Sequence, residues 1–227
     1  MKPEEIVCTA VLPQDIARSR EFIAHALSHL PGHAVKTLGA LHQHLQRLLI
    51  GKCVELATER FLQGHGIAHQ SYPQHELTLQ SARLFFRIKN ENVELKFAEV
   101  PAGAAVAEQI VQLHALVPVA QWRKHKRIAR YLFAFFAGDL RIVINQAVSS
   151  LYGAEKMAKP EQIELKGKHG RIFLTACPSR AECEQHFRQM DAVRIATISH
   201  CENADIYMAC RVAELTAFQR AVQWGGV

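Results

Sequence analysis

Three charged side chains have the types and spacing of a metal-dependent hydrolytic site. Glu94 and Lys96 are two residues apart in 93–100, where alternating apolar residues predict a strand, so both side chains should face the same way. Glu55 lies on the apolar stripe of an earlier predicted helix, where we expect a carboxylate to be paired, hydrogen-bonded or bound to metal. The alternative for Glu55 is a partly exposed glutamate at a helix boundary. Carboxylates hold Mg²⁺, and a neighbouring lysine can orient water or stabilise negative charge, as phosphodiester hydrolysis requires.

Helices and a hairpin must position these groups. Apolar stripes predict a helix after Pro13 that ends near residue 30, and a long helix from about residue 34 to residue 63. Residues 83–88 and 93–100 predict two strands joined by a turn. An amphipathic helix is then predicted over residues 104–116, with Val106, Ile110 and Leu113 facing inward.

The second half of the chain predicts a further hairpin and an α/β tail. The hairpin covers residues 131–144 around Gly138-Asp139. The tail is predicted as a strand (171–176), a helix (179–190), two strands (193–198 and 206–209) and a terminal helix (212–224). We therefore predict an α/β core with N-terminal helices over residues 1–150. Residues 151–227 form a C-terminal α/β subdomain or an extension of the same sheet.

Composition narrows the class of protein. The chain has 227 residues, half of them apolar, and no apolar run approaches the roughly 20 residues of a membrane span. No secretory signal is recognisable, and six cysteines in a chain of this length do not make a disulfide scaffold, so we expect a cytoplasmic protein without a membrane partner. Neither a P-loop nor a Gly-x-Ser-x-Gly motif occurs, which argues against P-loop and serine-hydrolase mechanisms. A homodimer is kept as an alternative to a monomer.

Positive charge makes nucleic acid a candidate partner. The net charge is +6 with histidines neutral, and the densest basic run begins just after Trp122. Such a run can hold phosphates, although a solvated helix face is its more frequent explanation. The candidate phosphate contacts are Arg123, Lys124, Lys126, Arg127, Arg130, Lys166 and Lys168.

Over about residues 41–145 the chain resembles the PD-(D/E)XK nuclease superfamily. The resemblance consists of the helix containing Glu55, the hairpin, the tripeptide Glu94-Leu95-Lys96, the helix after it and the hairpin at 131–144. Around Glu55 the matching positions are Gly51, Ala57, Phe61, Leu62, Gly66 and Ile67. The resemblance implies a restriction-endonuclease-like fold, a central mixed β-sheet flanked by helices, here with a C-terminal α/β extension.

The resemblance also implies a DNA endonuclease that uses Mg²⁺, with Mn²⁺ as a substitute. In that superfamily a helix Glu, an Asp in the strand before the tripeptide, and the Glu and Lys of the tripeptide form the site. Ser81 stands where the Asp is expected, and Glu76 is the best replacement, ahead of Glu91. The implied catalytic set is thus Glu55, Glu76, Glu94 and Lys96, with Glu76 and Glu94 as metal ligands. The missing Asp leaves open a catalytically inactive module that binds nucleic acid or protein.

Two other constellations stay open. Asp139 with Glu164 and Lys166 is a second placement of the same pattern, although residues 146–160 between them favour a helix over a hairpin. A zinc site is the other alternative, although tight Cys-x2-Cys spacing is absent. Its candidate ligands are Cys177, Cys183, His186, His200 and Cys201.

Overall fold

Twelve strands and six α-helices make up the described part of the fold. A computed structural model describes residues 1–29, 37–71, 84–101, 106–124, 126–145, 148, 158–167, 170–192, 199–200 and 204–223. The strands are β1 (Val7–Ala10), β2 (His69–Ser71), β3 (Leu84–Ile88), β4 (Glu91–Val100), β5 (His114–Pro118), β6 (Arg130–Gly138), β7 (Arg141–Val143), β8 (Glu164–Lys166), β9 (Gly170–Leu174), β10 (Arg188–Asp191), β11 (Ser199–His200) and β12 (Ile206–Arg211). The helices are α1 (Pro13–His29), α2 (Leu38–Gly64), α3 (Ala107–Ile110), α4 (Val119–Lys124), α5 (Arg180–His186) and α6 (Phe218–Gln223).

A seven-stranded mixed sheet, flanked by helices, is the centre of this α/β fold. Its strand order is β1-β9-β6-β4-β3-β2, and β11 pairs with β4 beyond the end of β3. Strands β4 and β6 are parallel, whereas their outer neighbours β3 and β9 are antiparallel to them. Strand β9, from the C-terminal part of the chain, thus lies inside the main sheet. Two smaller sheets have the orders β10-β12-β5 and β7-β8.

Each face of the main sheet has its own apolar core. On the α2 face, Val93, Leu95 and Leu132 pack with the buried residues of α1 and α2. On the opposite face, here called the β5 face, Tyr131 and Phe133 pack with β5 and with residues around α5. Alternation along β4 therefore sends odd-numbered residues toward α2 and even-numbered residues toward β5. The alternation was predicted from the sequence, but Glu94 and Lys96 face away from the helix that carries Glu55.

The turn between β3 and β4 has two left-handed residues. Lys89 has a φ of 48° and Asn90 a φ of 68°. A two-residue turn with both φ values positive matches the twist of a hairpin, which explains the tight connection, but lysine is an unusual residue at such a φ. A hydrogen bond to a residue outside the hairpin also stabilises the turn: the Lys89 N–H donates to the carbonyl of Ala68 at 3.2 Å.

The prediction of a helix over residues 104–116 is wrong. Only α3 is helical within the described part of that range, and Val106 is 47% exposed rather than inward-facing. From His114 onward the chain forms β5, which pairs with β12 over five residue pairs. Pairing with a strand nearly 100 positions later overrides the local pattern.

Three predictions for the second half are also wrong, for the same reason. The chain turns at Gly138-Asp139, but β7 pairs with β8 rather than with β6, whose two neighbours are β4 and β9. The helix predicted to reach residue 190 ends at His186, because β10 pairs with β12. The terminal helix is divided into a 3-10 turn at Val212–Glu214 and α6.

Helix α2 is the longest helix and is buried on most sides between residues 44 and 58. Thr37 caps its N-terminus, accepting a hydrogen bond from the Ala40 N–H at 3.1 Å. Among the described residues, no helix is both long enough and apolar enough to cross a bilayer.

A buried histidine of α2 predicts acid-sensitive stability. Burial, reinforced by the charge of Arg47, lowers the pKa of His44 from 6.5 to about 4. Below pH 6.5 the unfolded chain binds a proton that the folded chain does not bind until about pH 4, so stability falls across that window. Between pH 7 and pH 4 the free energy of unfolding of wild type should fall by about 2–3 kcal/mol more than that of His44→Gln, measured by urea unfolding. His25→Gln, at an exposed position of α1, should behave as wild type. Equal pH dependence in all three proteins would contradict this prediction.

Candidate functional site

Glu94 and Lys96 form a buried ion pair on β4. The Lys96 Nζ lies 3.0 Å from the Glu94 Oε1, and the two residues are 0% and 6% exposed. Glu94 is in register with Phe85 on β3 and with Tyr131 on β6, so it faces the β5 side of the sheet. The structure thus joins two of the predicted site residues, and both charges are removed from bulk water.

Helix α4 covers this pair. The Lys96 ammonium donates a hydrogen bond to the Gln121 Oε1 on α4. Trp122, the next residue, stacks on Tyr131 and on Phe187, with ring centroids 5.8 Å apart in both cases. Aromatic packing therefore fixes α4 over β4 and β6 and holds Gln121 against Lys96.

Arg180 extends the charged cluster toward the surface. Its guanidinium carbon lies 3.4 Å from the centroid of the Trp122 ring, and its Nη1 donates to the Tyr131 hydroxyl at 3.0 Å. Burial and the negative charge of Glu94 raise the pKa of Tyr131 to about 12, against the opposing effect of Arg180. The phenol therefore stays protonated beside Glu94.

Sequence reasoning missed Gln121, Trp122, Tyr131 and Arg180 as neighbours of the pair. Tyr131 is one polar residue in the apolar run that predicted β6, and Trp122 stands out in the sequence only as the aromatic at the head of the basic run. The local sequence does not identify Gln121 or Arg180 as site residues, because their partners on β4 and β6 are 25 and 49 positions away in the sequence.

Glu55 is not brought to the pair. It lies on α2, which packs on the sheet face opposite to the one that Glu94 and Lys96 occupy. Lys52 pairs with its Oε1 at 3.1 Å, while its Oε2 is buried without a hydrogen-bond partner among the described residues. Burial, only partly offset by Lys52, raises the pKa of this carboxyl.

Several predicted site residues cannot be placed. Glu76, Ser81, Lys168 and Cys201 lie outside the described residues, and the side chain of His200 is not described. Across the described part of the chain, no three or more His, Cys, Asp or Glu side chains are grouped as metal ligands would be. Glu94 therefore belongs to no such group of ligands among the described residues.

The predicted phosphate contacts are divided between two places. Arg123, Lys124, Lys126 and Arg127 are exposed at the end of α4 and in the turn after it. Arg130 is instead engaged, donating to the Glu91 carboxylate and to the Cys177 carbonyl. Lys166 pairs in register with Arg141 on β7, which follows the end of β6 opposite to Arg130.

The second placement of the pattern is at that far end. Glu164 and Lys166 are both exposed on β8. Gly167, with a φ of +80°, brings its backbone against the carbonyl of Asp139, so closely that a side-chain methyl group at this position would have no room. Asp139, Glu164 and Lys166 thus lie in one surface region, without the burial that marks the pair on β4.

Two cysteines of the zinc alternative, Cys177 and Cys183, are buried thiols in the described part of the chain. Cys177 and Cys183 are 2% and 0% exposed, whereas His186 is exposed at the end of α5. Burial raises the pKa of Cys177 to about 12 and that of Cys183 still further, so both are protonated at neutral pH. Among the described residues, neither thiol belongs to a group of three or more possible metal ligands.

Removing Lys96 alone should destabilise the fold more than removing both charges. Lys96→Met leaves the Glu94 carboxylate buried without its ammonium partner, at a cost of about 3–5 kcal/mol. Adding Glu94→Gln should restore most of this loss, measured as the free energy of unfolding in urea. Lys166 is the exposed lysine of the second Glu-Leu-Lys tripeptide, at residues 164–166, and Lys166→Met should change stability by less than about 0.5 kcal/mol. A double variant as unstable as Lys96→Met would contradict this account.

Glu55→Gln should stabilise the protein at neutral pH. Because the folded-state pKa is raised, ionisation costs stability as pH rises above 4.5, the value in the unfolded chain. We expect a higher Tm than wild type at pH 7 and no difference at pH 4, where the carboxyl is protonated in both states. Glu21→Gln, exposed on α1, is the control and should leave Tm unchanged. A lower Tm for Glu55→Gln at pH 7 would show that pairing with Lys52 outweighs burial.

Comparisons with known proteins supply no relative that carries this arrangement. No family model, no curated protein and no solved structure matches the chain. The function must therefore be inferred from the placement of the chain's own side chains.

Proposed function

We propose that this protein is a metal-dependent DNA endonuclease whose site is centred on Glu94 and Lys96. The observation that carries the proposal is the ion pair itself, with a carboxylate and an ammonium 3.0 Å apart on one strand. A buried ion pair is seldom favoured over apolar residues for stability alone, which supports a chemical role for these two charges. Glu94 would ligand the metal, and Lys96 would orient water or stabilise charge on a phosphoryl oxygen.

The order of elements supports the restriction-endonuclease-like part of this proposal. Helix α2, the β3–β4 hairpin, the tripeptide on β4 and strand β6 follow one another in the order that the resemblance to PD-(D/E)XK nucleases implies. The helix expected after the tripeptide, over residues 104–116, is not formed as predicted, since α3 and β5 occupy its described part. The β6–β7 hairpin that the resemblance also used is not formed. The mixed sheet between α2 and α4 agrees with the remaining elements.

The metal would supply water activation and charge neutralisation when bound, and Mg²⁺ or Mn²⁺ fits oxygen ligands. Near Lys96 the described oxygen donors are the Glu94 carboxylate and the Gln121 side-chain carbonyl. Glu76 is the further carboxylate that the proposal requires. Glu55, on the other face of the sheet, is no longer part of the proposed site.

DNA would approach along α4. Four exposed cations lie at the end of that helix and just after it, on the same short segment that presents Gln121 to Lys96. Phosphates held there would be positioned near the pair without any reading of base sequence. The proposed contacts are Arg123, Lys124, Lys126 and Arg127.

A second candidate is a catalytically inactive member of this fold that binds DNA. The favouring observation is burial, because Glu94 is 0% exposed and Lys96 is hydrogen-bonded to Gln121 beneath α4. In that case the pair fixes α4, and the exposed cations alone contact phosphates. Binding would then weaken with salt as counterion release requires.

Cleavage of supercoiled plasmid with Mg²⁺ or Mn²⁺ tests the first proposal. Glu94→Gln keeps the shape of the side chain and removes the ligand charge, and we expect it to lower the nicking rate at least about 100-fold. Glu164→Gln, in the exposed copy of the tripeptide, should cleave at the wild-type rate. The Tm of each variant establishes that it is folded.

Two outcomes would count against catalysis. Wild-type cleavage retained by folded Glu94→Gln would remove the pair from the site. An absence of cleavage together with duplex binding would favour the inactive protein. In that case Arg123→Gln and Lys126→Gln should each lower the slope of log binding constant against log salt concentration by about the value of one phosphate contact.

A further inference from the structure

Two adjoining cavities lie on the α2 face at the turn between β3 and β4. Their volumes are about 370 and 680 Å³, within the range of small-molecule sites. Lys89 and Val222 line both, so the cavities meet at the left-handed turn. Glu94 and Lys96 line neither, because they face the opposite side of the sheet.

The lining of the smaller cavity carries one net positive charge. Lys89 lines it, together with the ion pair that Arg130 forms with Glu91. The Lys89 backbone is held at a φ of 48°, a conformation that is unfavourable for lysine and that glycine or asparagine would adopt more readily. Residues with strained backbone cluster at binding and active sites, which makes this turn a candidate site.

The larger cavity is aromatic and apolar. The rings of Phe61 and His65 lie 4.1 Å apart at the end of α2, and Ile67 and Val222 complete the apolar lining. The Nδ1 of His65 is 2.8 Å from the carbonyl of Phe61 and therefore donates to it, leaving Nε2 as an acceptor. A planar ring system with an exocyclic amino group fits this lining.

We propose that the joined cavities bind a nucleoside monophosphate unit. The phosphate would lie at Lys89, and the base would lie against Phe61 and His65. The same chemistry is presented by a free nucleotide and by the 5′-phosphorylated end of a DNA strand. The site is independent of the proposed cleavage site, because the sheet separates the two.

Calorimetric titration with adenosine 5′-monophosphate tests the site. Lys89→Gly removes the ammonium and suits the left-handed backbone, so it should fold at least as well as wild type and bind at least about tenfold more weakly. Lys166→Gln removes a lysine charge at an exposed position that lines neither cavity and should bind as wild type. Phe61→Leu should weaken binding severalfold through loss of the ring.

Oligonucleotides distinguish the two sources of the ligand. A 5′-phosphorylated deoxyadenosine pentamer that binds more tightly than the free nucleotide, and more tightly than the unphosphorylated pentamer, would identify a strand end. Tighter binding of the free nucleotide would identify a nucleotide site. Binding of neither probe, or unchanged binding by folded Lys89→Gly, would overturn the proposal. Glu94→Gln should keep nucleotide binding even where it abolishes cleavage, so the two proposals can fail separately.

Discussion

Burial of two opposite charges beneath α4 constrains the architecture around β4. An isolated carboxylate or ammonium could not stay in this core, so Glu94 and Lys96 must remain within contact of each other and of polar neighbours. Gln121 provides one such neighbour, and its helix is held by the stacking of Trp122 on Tyr131. The packing that places α4 over β4 therefore also provides the polar contact that the buried charges need.

The main sheet divides the chemistry of the molecule into two sides. Glu94, Lys96 and the exposed cations after Gln121 belong to the β5 face, whereas Glu55 and the two cavities belong to the α2 face. A site that used Glu55 together with the pair would need side chains to reach across a sheet that is filled on both faces. Substitutions on one face should therefore leave the other face unaffected, whereas substitutions within one close cluster usually affect each other.

The sequence predicted the local elements around the pair but not its surroundings. Helices α1 and α2, the β3–β4 hairpin and the shared orientation of Glu94 and Lys96 follow from short-range periodicity. The same periodicity could have placed Glu55 correctly, because the apolar residues Val93 and Leu95 must face the helix that covers them. The pairing of β5 with β12, and of β7 with β8, depends on contacts distant in sequence, and no local pattern encodes them.

Access to the pair depends on a helix too short to be stable by itself. Helix α4 has six residues, fewer than an isolated helix needs in water, so its position rests on tertiary contacts. Those contacts are the hydrogen bond from Lys96 to Gln121, the aromatic stack, and the donation from Arg180 to the Trp122 carbonyl at 3.1 Å. Because Arg123 and Lys124 end the same helix, the element that covers Glu94 also carries exposed positive charge. The proposed cleavage would require this helix to move away from Glu94, whereas the proposed binding without cleavage would not.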